Sequence, residues 1–214
     1  LTAANTPATF SDLKPFLQQY QGWPQRDIML KRAEETMPAN LSSTEVLTWF
    51  DTMGGPVSTM GKLRKAEAQL RLAGKTENLK NKALKDIRDI WILGNFTKTQ
   101  EKNIYRKYRK IITLQDNEDR LDRLIWQERR WPAKRQMWKV DKKIRKLAIA
   151  RLWLQTREGN VDKAIADLLK VAPELSKHPG LVYERLRWRR RKGRTDETAD
   201  MFKNVHGDPV RPDK

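Results

Sequence analysis

The chain has 214 residues, 38% hydrophobic and 34% charged, with 45 lysines and arginines against 27 aspartates and glutamates, a formal net charge of +18. Leu, Ile, Ala and Trp recur too often for a disordered polymer. There is no cysteine for a disulfide framework or thiol chemistry, and no run of about 18 apolar residues that could span a bilayer. The charge calls for a polyanion (nucleic acid, anionic lipid or an acidic cell-wall polymer) without choosing among them.

The first residues, LTAANTPAT, are small and polar and begin at Leu1 instead of Met. They are expected to form a disordered or extended segment over 1–9, the start of a mature chain whose signal peptide has been removed, or of a cut one. Helical periodicity then takes over, and no strand pattern competes with it. SDLKPFLQQYQ puts Leu13, Phe16, Leu17 and Tyr20 on one face. GWPQRDIMLKRAEETMP opens with Pro24 in a position suited to a first helical turn, draws contacts from Ile28, Leu30 and Ala33, and closes at Pro38. In LSSTEVLTWFDTMGG, Ser42 and Glu45 have capping-box spacing, ahead of Val46, Leu47, Trp49 and Phe50. The next helix ends at Gly74, a residue type suited to a left-handed cap. Its successor stacks Leu79, Ala83, Ile87 and Ile90, and Thr97 with Gln100 repeats the capping-box spacing.

Six further helical segments follow, broken only by short Gly, Pro or Asn corners, which makes neighbours antiparallel hairpins. Gly159 and Gly193 lie 34 residues apart, each followed by an aspartate three residues on (Asp162, Asp196) and by a valine (Val171, Val205) closing the next helix. That is a tetratricopeptide-like period. The expected fold is all-α: an irregular, tetratricopeptide-like α-solenoid or superhelix of antiparallel helical hairpins, one domain over 10–205, followed by a linker-like tail over 206–214.

Two basic runs invite a nucleic-acid reading. In NIYRKYRKII, Ile104, Tyr105, Tyr108, Ile111 and Ile112 form a helical stripe with Lys102, Arg106, Lys107, Arg109 and Lys110 around the remainder. In YERLRWRRRKG, Leu186 lines up with Leu181 and Val182 while Trp188 sits at the margin. Its arginine stems can lie along apolar neighbours, and its last cations suit a helix C-terminus at about 0.3–1 kcal/mol each. Both runs read as solvated faces of packed helices. With no RNA-recognition motif, KH loop, zinc-finger spacing or P-loop present, nucleic acid is not the expected partner. Among the eight tryptophans, Trp49, Trp91, Trp126, Trp153 and Trp188 have helical apolar settings and Trp23 and Trp131 precede prolines. Packing is the default for them, and a sugar-stacking platform the sharper alternative. His178 and His206 stand apart at corners without metal-ligand spacing. The carboxylate pairs Glu34/Glu35, Asp86/Asp89 and Glu118/Asp119 sit among lysines and arginines, as salt-bridged faces do. No catalytic, cofactor-binding or metal-binding residue is expected.

Five strings carry a resemblance: FLQQYQGWPQRDIMLKRAEETMP at 16–38, VLTWFDTMGGPVSTMGKLRKAEAQLRLAGK at 46–75, DIRDIW at 86–91, DRLDRLIWQERRWPAKRQM at 119–137 and HPGLVYERLRWRRRKGRTDETADMF at 178–202. In this order they resemble the N-terminal superhelical region of soluble lytic murein transglycosylases, alphaproteobacterial type. The resemblance implies a periplasmic protein and a curved array of helical pairs. In that family a separate lysozyme-like domain cleaves peptidoglycan to a 1,6-anhydro sugar with a single glutamate. The Glu-Ser pair, Gly-Leu-Met-Gln string and Ala-Tyr-Asn string of that domain do not occur here, so this chain alone is expected to be inactive. The expectation is a scaffold that binds peptidoglycan glycan strands through Arg106, Arg109, Arg187, Arg190 and Arg191, with other cell-wall proteins as further partners. The rival readings are a tetratricopeptide-like protein-binding adaptor and a nucleic-acid-binding helical repeat.

Overall fold

The structure, a computed structural model, describes residues 8–156 and 158–193. The expectations placed on residues 1–7, Asp196, Val205, His206 and the tail 206–214 lie outside the described residues. Among those described there are eleven α-helices, two short 3₁₀ turns and no strand, and several helices that follow one another in the chain pack together, as in helical repeats. The expectation is one domain over 10–205; by its contacts the chain divides into two compact units, Leu1–Ile112 and Thr113–Lys214.

The first unit holds α1 (Phe10–Gln19), α2 (Arg26–Glu35), α3 (Ser43–Thr52), α4 (Thr59–Leu72), α5 (Glu77–Leu93) and α6 (Lys98–Tyr108). The expected capping boxes form: Ser42 N–H donates to Glu45 Oε2 at 2.9 Å and Glu45 N–H to Ser42 Oγ at 3.2 Å. Thr97 and Gln100 do the same at 2.9 and 3.2 Å. Pro24 departs from expectation. It lies in a turn before α2, whose N-cap is Gln25 in the left-handed region at φ 61°. Ile28 and Leu79 are also exposed. On α2 the buried stripe runs through Met29, Leu30 and Ala33, which leaves Ile28 on the wet side. On α5 every residue from 77 to 82 is exposed, so the stripe begins a turn after Leu79, at Ala83, and continues through Ile87 and Trp91.

Helix α4 packs against α2, α3 and α5 and serves two apolar clusters. Its Ala68 joins Leu13, Leu17, Met29, Trp49 and Phe50, while its Leu63 and Ala66 join Ile87, Trp91, Ile104 and Tyr108. The start of α4 is capped twice. Ser58 Oγ accepts from Gly61 N–H at 2.8 Å, and the buried Glu34 of α2 accepts from the backbone N–H groups of Val57 and Ser58 at 2.8 and 2.6 Å. A carboxylate there satisfies donors that a helix start leaves over and suits the macrodipole. Gly61 leaves room for it, since a Cβ would fall on the Glu34 carboxylate.

The second unit holds α7 (Leu114–Trp126), α8 (Arg130–Gln136) running on into a 3₁₀ turn (Met137–Lys139), α9 (Lys142–Thr156), α10 (Val161–Leu169), a second 3₁₀ turn (Pro173–Lys177) and α11 (Pro179–Arg191). Here α9 is the shared helix. Its Ala148 and Leu152 pack with Leu121, Leu124 and Ile125 of α7, and its Leu147, Ala150 and Leu154 pack with α10 and Leu181 of α11. Gly159 and Gly193, the two glycines of the 34-residue spacing, both take positive φ (67° and 72°), the left-handed region that glycine favours, and Gly193 directly follows Lys192, the C-cap of α11, as a left-handed cap does.

Buried on α9 is one charge, Arg151, at 1% exposure. Its Nη1 donates to Asp122 of α7, its guanidinium carbon sits 5.0 Å from the Trp126 ring centroid, and its other nitrogens lie against Gly180 of α11. Gly180→Ala would place a methyl group inside that guanidinium, which Trp126 and Asp122 prevent from retreating. A loss of about 1–3 kcal/mol, the usual cost of overpacking, is expected in urea unfolding of the second unit. Gly22→Ala, where the added carbon meets nothing within 4 Å, should stay within about 0.5 kcal/mol of the parent. Equal stabilities would contradict the clamp.

Candidate polyanion-binding surface

The five arginines expected to meet a polyanion divide between the units, Arg106 and Arg109 in the first and Arg187, Arg190 and Arg191 in the second. At the C-terminal end of α6 the stripe Ile104, Tyr108 and Ile112 is buried, while Arg106, Arg109 and Lys110 are exposed, cations where the helix macrodipole favours them. Lys107 is occupied. Its Nζ donates to Glu67 Oε1 at 2.8 Å, and Tyr108 donates its hydroxyl proton to the same oxygen. Burial, then the Glu67 carboxylate, pushes the Tyr108 hydroxyl well above the ordinary phenol range. The phenol therefore stays a proton donor, and Glu67 of α4 anchors α6.

The arginine run of α11 is largely engaged within its own unit. Arg187 forms an ion pair with Glu128. The guanidinium of Arg191 donates to the carbonyls of Leu154 and Gln155 at 2.5 and 3.4 Å, groups that the C-terminal turn of α9 leaves without helical partners. Lys192 Nζ stands 6.0 Å from the Trp188 ring centroid. Burial, then the neighbouring Arg189, depresses the Arg185 pKa below its ordinary value. Glu184, buried at the middle of the helix, accepts from Gln155 Nε2 at 2.7 Å, and burial raises its carboxyl pKa. Of the three candidate arginines on α11, Arg190 is the exposed one.

His178 is the N-cap of α11, its Nδ1 accepting from Gly180 N–H at 3.2 Å, and burial followed by the nearby Arg151 charge depresses its pKa. It lines a cavity of about 180 Å³ with Glu118, Asp122 and Arg151; burial, then Asp141 and Asp119, raises the Glu118 pKa. No serine, threonine or lysine nucleophile lines that cavity. Asp86, Asp89 and Lys82 of α5 and Lys62 and Lys65 of α4 line a cleft of about 470 Å³ between the two helices. Glu34 caps α4, as described. Among the described residues no three metal-ligating side chains converge, and no helix is long and apolar enough to cross a membrane.

The tryptophans span the range from buried to solvent-exposed. Trp49, Trp91 and Trp126 are buried, whereas Trp131 and Trp138 are 72% and 73% exposed. Trp138 is the one tryptophan of the eight for which the sequence suggests no setting. It sits in the 3₁₀ turn after α8 among charged residues, where no apolar periodicity marks it. Comparison with known proteins returns no match: no family model matches the chain, no curated protein matches its sequence and no solved structure matches its fold.

The two neighbouring arginines at the end of α11 should behave differently. Arg191→Ala removes charged donors from the α9 carbonyls and should cost about 1.5–3 kcal/mol in chemical unfolding. Arg190→Ala should change stability by no more than about 0.5 kcal/mol.

Proposed function

We propose that the chain is a non-catalytic helical module of a periplasmic lytic transglycosylase, holding peptidoglycan glycan strands for cleavage by a lysozyme-like domain. The observation that carries this reading is the ordered set of five strings resembling the superhelical region of that family, which spans α1–α5, α7, α8 and α11. The +18 net charge supports it, because peptidoglycan strands carry carboxylates on their lactyl groups and stem peptides. The exposed cations Arg106, Arg109 and Lys110 on α6 and Arg190 on α11 supply matching positive charge. Arg187 and Arg191 contribute to the local potential while remaining tied to Glu128 and to the α9 carbonyls.

The second reading is a tetratricopeptide-like adaptor for other cell-wall proteins. It is favoured by the mixed-charge cleft between α4 and α5, whose end carries the exposed Leu93.

Co-sedimentation with purified sacculi separates the two. The parent chain should pellet at low ionic strength and be released as salt rises, because exposed charges are screened beyond about 10 Å at 0.1 M. The triple reversal Arg106→Glu, Arg109→Glu, Arg190→Glu should weaken retention about tenfold, a loss of roughly 1.4 kcal/mol. No anhydro-muropeptide should be released. Absence of binding at every salt concentration removes the wall-holding role, and binding indifferent to the reversals favours the adaptor.

A further inference from the structure

Trp131 and Trp138 are the most exposed large apolar side chains among the described residues, and they stand seven residues apart on one continuous piece of helix, α8 and its 3₁₀ extension. Five α-helical steps and two 3₁₀ steps bring the second residue back to within roughly 20° of the first and about 11 Å further along the axis. The opposite face of the same segment is fixed to the unit. Ala133, Gln136 and Val140 are buried, and Gln136 Nε2 donates to the carbonyl and side-chain oxygens of Asn117 at 3.1 and 2.9 Å. Cations accompany both indoles. Lys134 Nζ is 5.1 Å from the Trp131 ring centroid and the Arg145 guanidinium carbon 4.8 Å from that of Trp138. Arg145 is itself steadied by the carbonyls of Met137 and Val140 at 3.0 and 3.3 Å.

We propose that this face is a glycan-stacking platform, on which two sugar rings of a peptidoglycan strand lie against Trp131 and Trp138. The assignment rests on the wall-binding reading and names the surface that performs it. Indole is an electron-rich plane with an apolar body, suited to the C–H face of a pyranose ring, and the spacing of the two planes accommodates rings from one short stretch of a strand. Arg145 beside Trp138 offers a partner to a strand carboxylate. A bilayer is a poorer match, because an interfacial helix needs a continuous apolar face and here Lys134 and Arg135 separate the two rings. A phosphodiester chain also stacks on aromatics, but it needs uncompensated cations, and Glu158 ion-pairs with both Arg130 and Lys134 beside Trp131.

The test uses the full chain in three forms: the parent, the double variant Trp131→Ala/Trp138→Ala, and Trp23→Ala, a half-exposed tryptophan of the first unit. Each is titrated with soluble N-acetylglucosamine oligomers, followed by tryptophan fluorescence and calorimetry, and each is co-sedimented with sacculi. A single-stranded oligonucleotide and anionic phosphatidylglycerol vesicles serve as competing probes. The double variant should lose at least about tenfold in affinity for oligomers and sacculi with an unchanged melting temperature, and Trp23→Ala should bind as the parent does. Oligomer affinity equal to the parent's in the folded double variant overturns the platform. So does a parent that binds the oligonucleotide or vesicles through these tryptophans and not the oligomers. A parent that binds oligomers through the two tryptophans but ignores sacculi upholds the platform and overturns the wall-holding function. Sacculus binding that survives in the double variant, without oligomer binding, does the opposite. A parent that binds neither overturns both.

Discussion

A helix packed on two sides leaves a charged side chain no route to water, and α9 carries such a charge in Arg151. Removing a guanidinium from water costs several kcal/mol unless the protein supplies partners; α7 supplies a carboxylate to Nη1 and an indole face, and Gly180 of α11, lacking a side chain, leaves the room the guanidinium fills. The rest of α11 follows from that placement. Its start is fixed by Gly180 over Arg151, its middle by Glu184 against Gln155, and its end by Arg191 over the last carbonyls of α9. The arginine-rich run is thus a strip that registers one helix on another. The first unit repeats the solution with opposite sign, where Glu67 on the shared helix α4 receives Tyr108 and Lys107 of α6.

A second use of arginine recurs through the chain. Helix ends present carbonyls with no partner inside the helix, and in both units arginines from elsewhere reach them. Arg26 Nη1 donates to Leu17 O near the end of α1 at 2.8 Å, and Arg145 bonds carbonyls at the turn after α8. A strongly basic composition therefore has two sources here, internal capping and an exposed remainder. The potential outside the protein is the sum of both.

What could be seen in the sequence was local. Ser42 with Glu45 and Thr97 with Gln100 form their boxes because donor and acceptor lie within one helical turn, and the stripe of Ile104, Tyr108 and Ile112 buries because its period is that of the helix. The partners of the engaged charges, buried or not, could not be seen, because they are far away in the chain: 24 residues between Glu34 and Ser58, 29 between Asp122 and Arg151, 59 between Glu128 and Arg187. Their pairing follows from packing, which periodicity does not encode. The same gap explains the tryptophans. Trp126 and Trp131 are neighbours in sequence, yet one lies under Tyr183, ring centroids 5.2 Å apart, and the other stands in solvent. Helical spacing could place them on a helix but not say whether another helix covers them.

Taken together, these contacts divide the second unit into a side committed to holding its own helices, α11 on α9, and a side left open, the tryptophan face of α8. Hydroxyl-radical footprinting of the chain, free and saturated with soluble peptidoglycan strands, tests that division most directly. Trp131 and Trp138 should be oxidised in the free chain and protected in the complex, while Tyr183 and Trp188 of α11 keep the same reactivity in both. Protection that appears on Tyr183 and Trp188 and leaves Trp131 and Trp138 unchanged would contradict it.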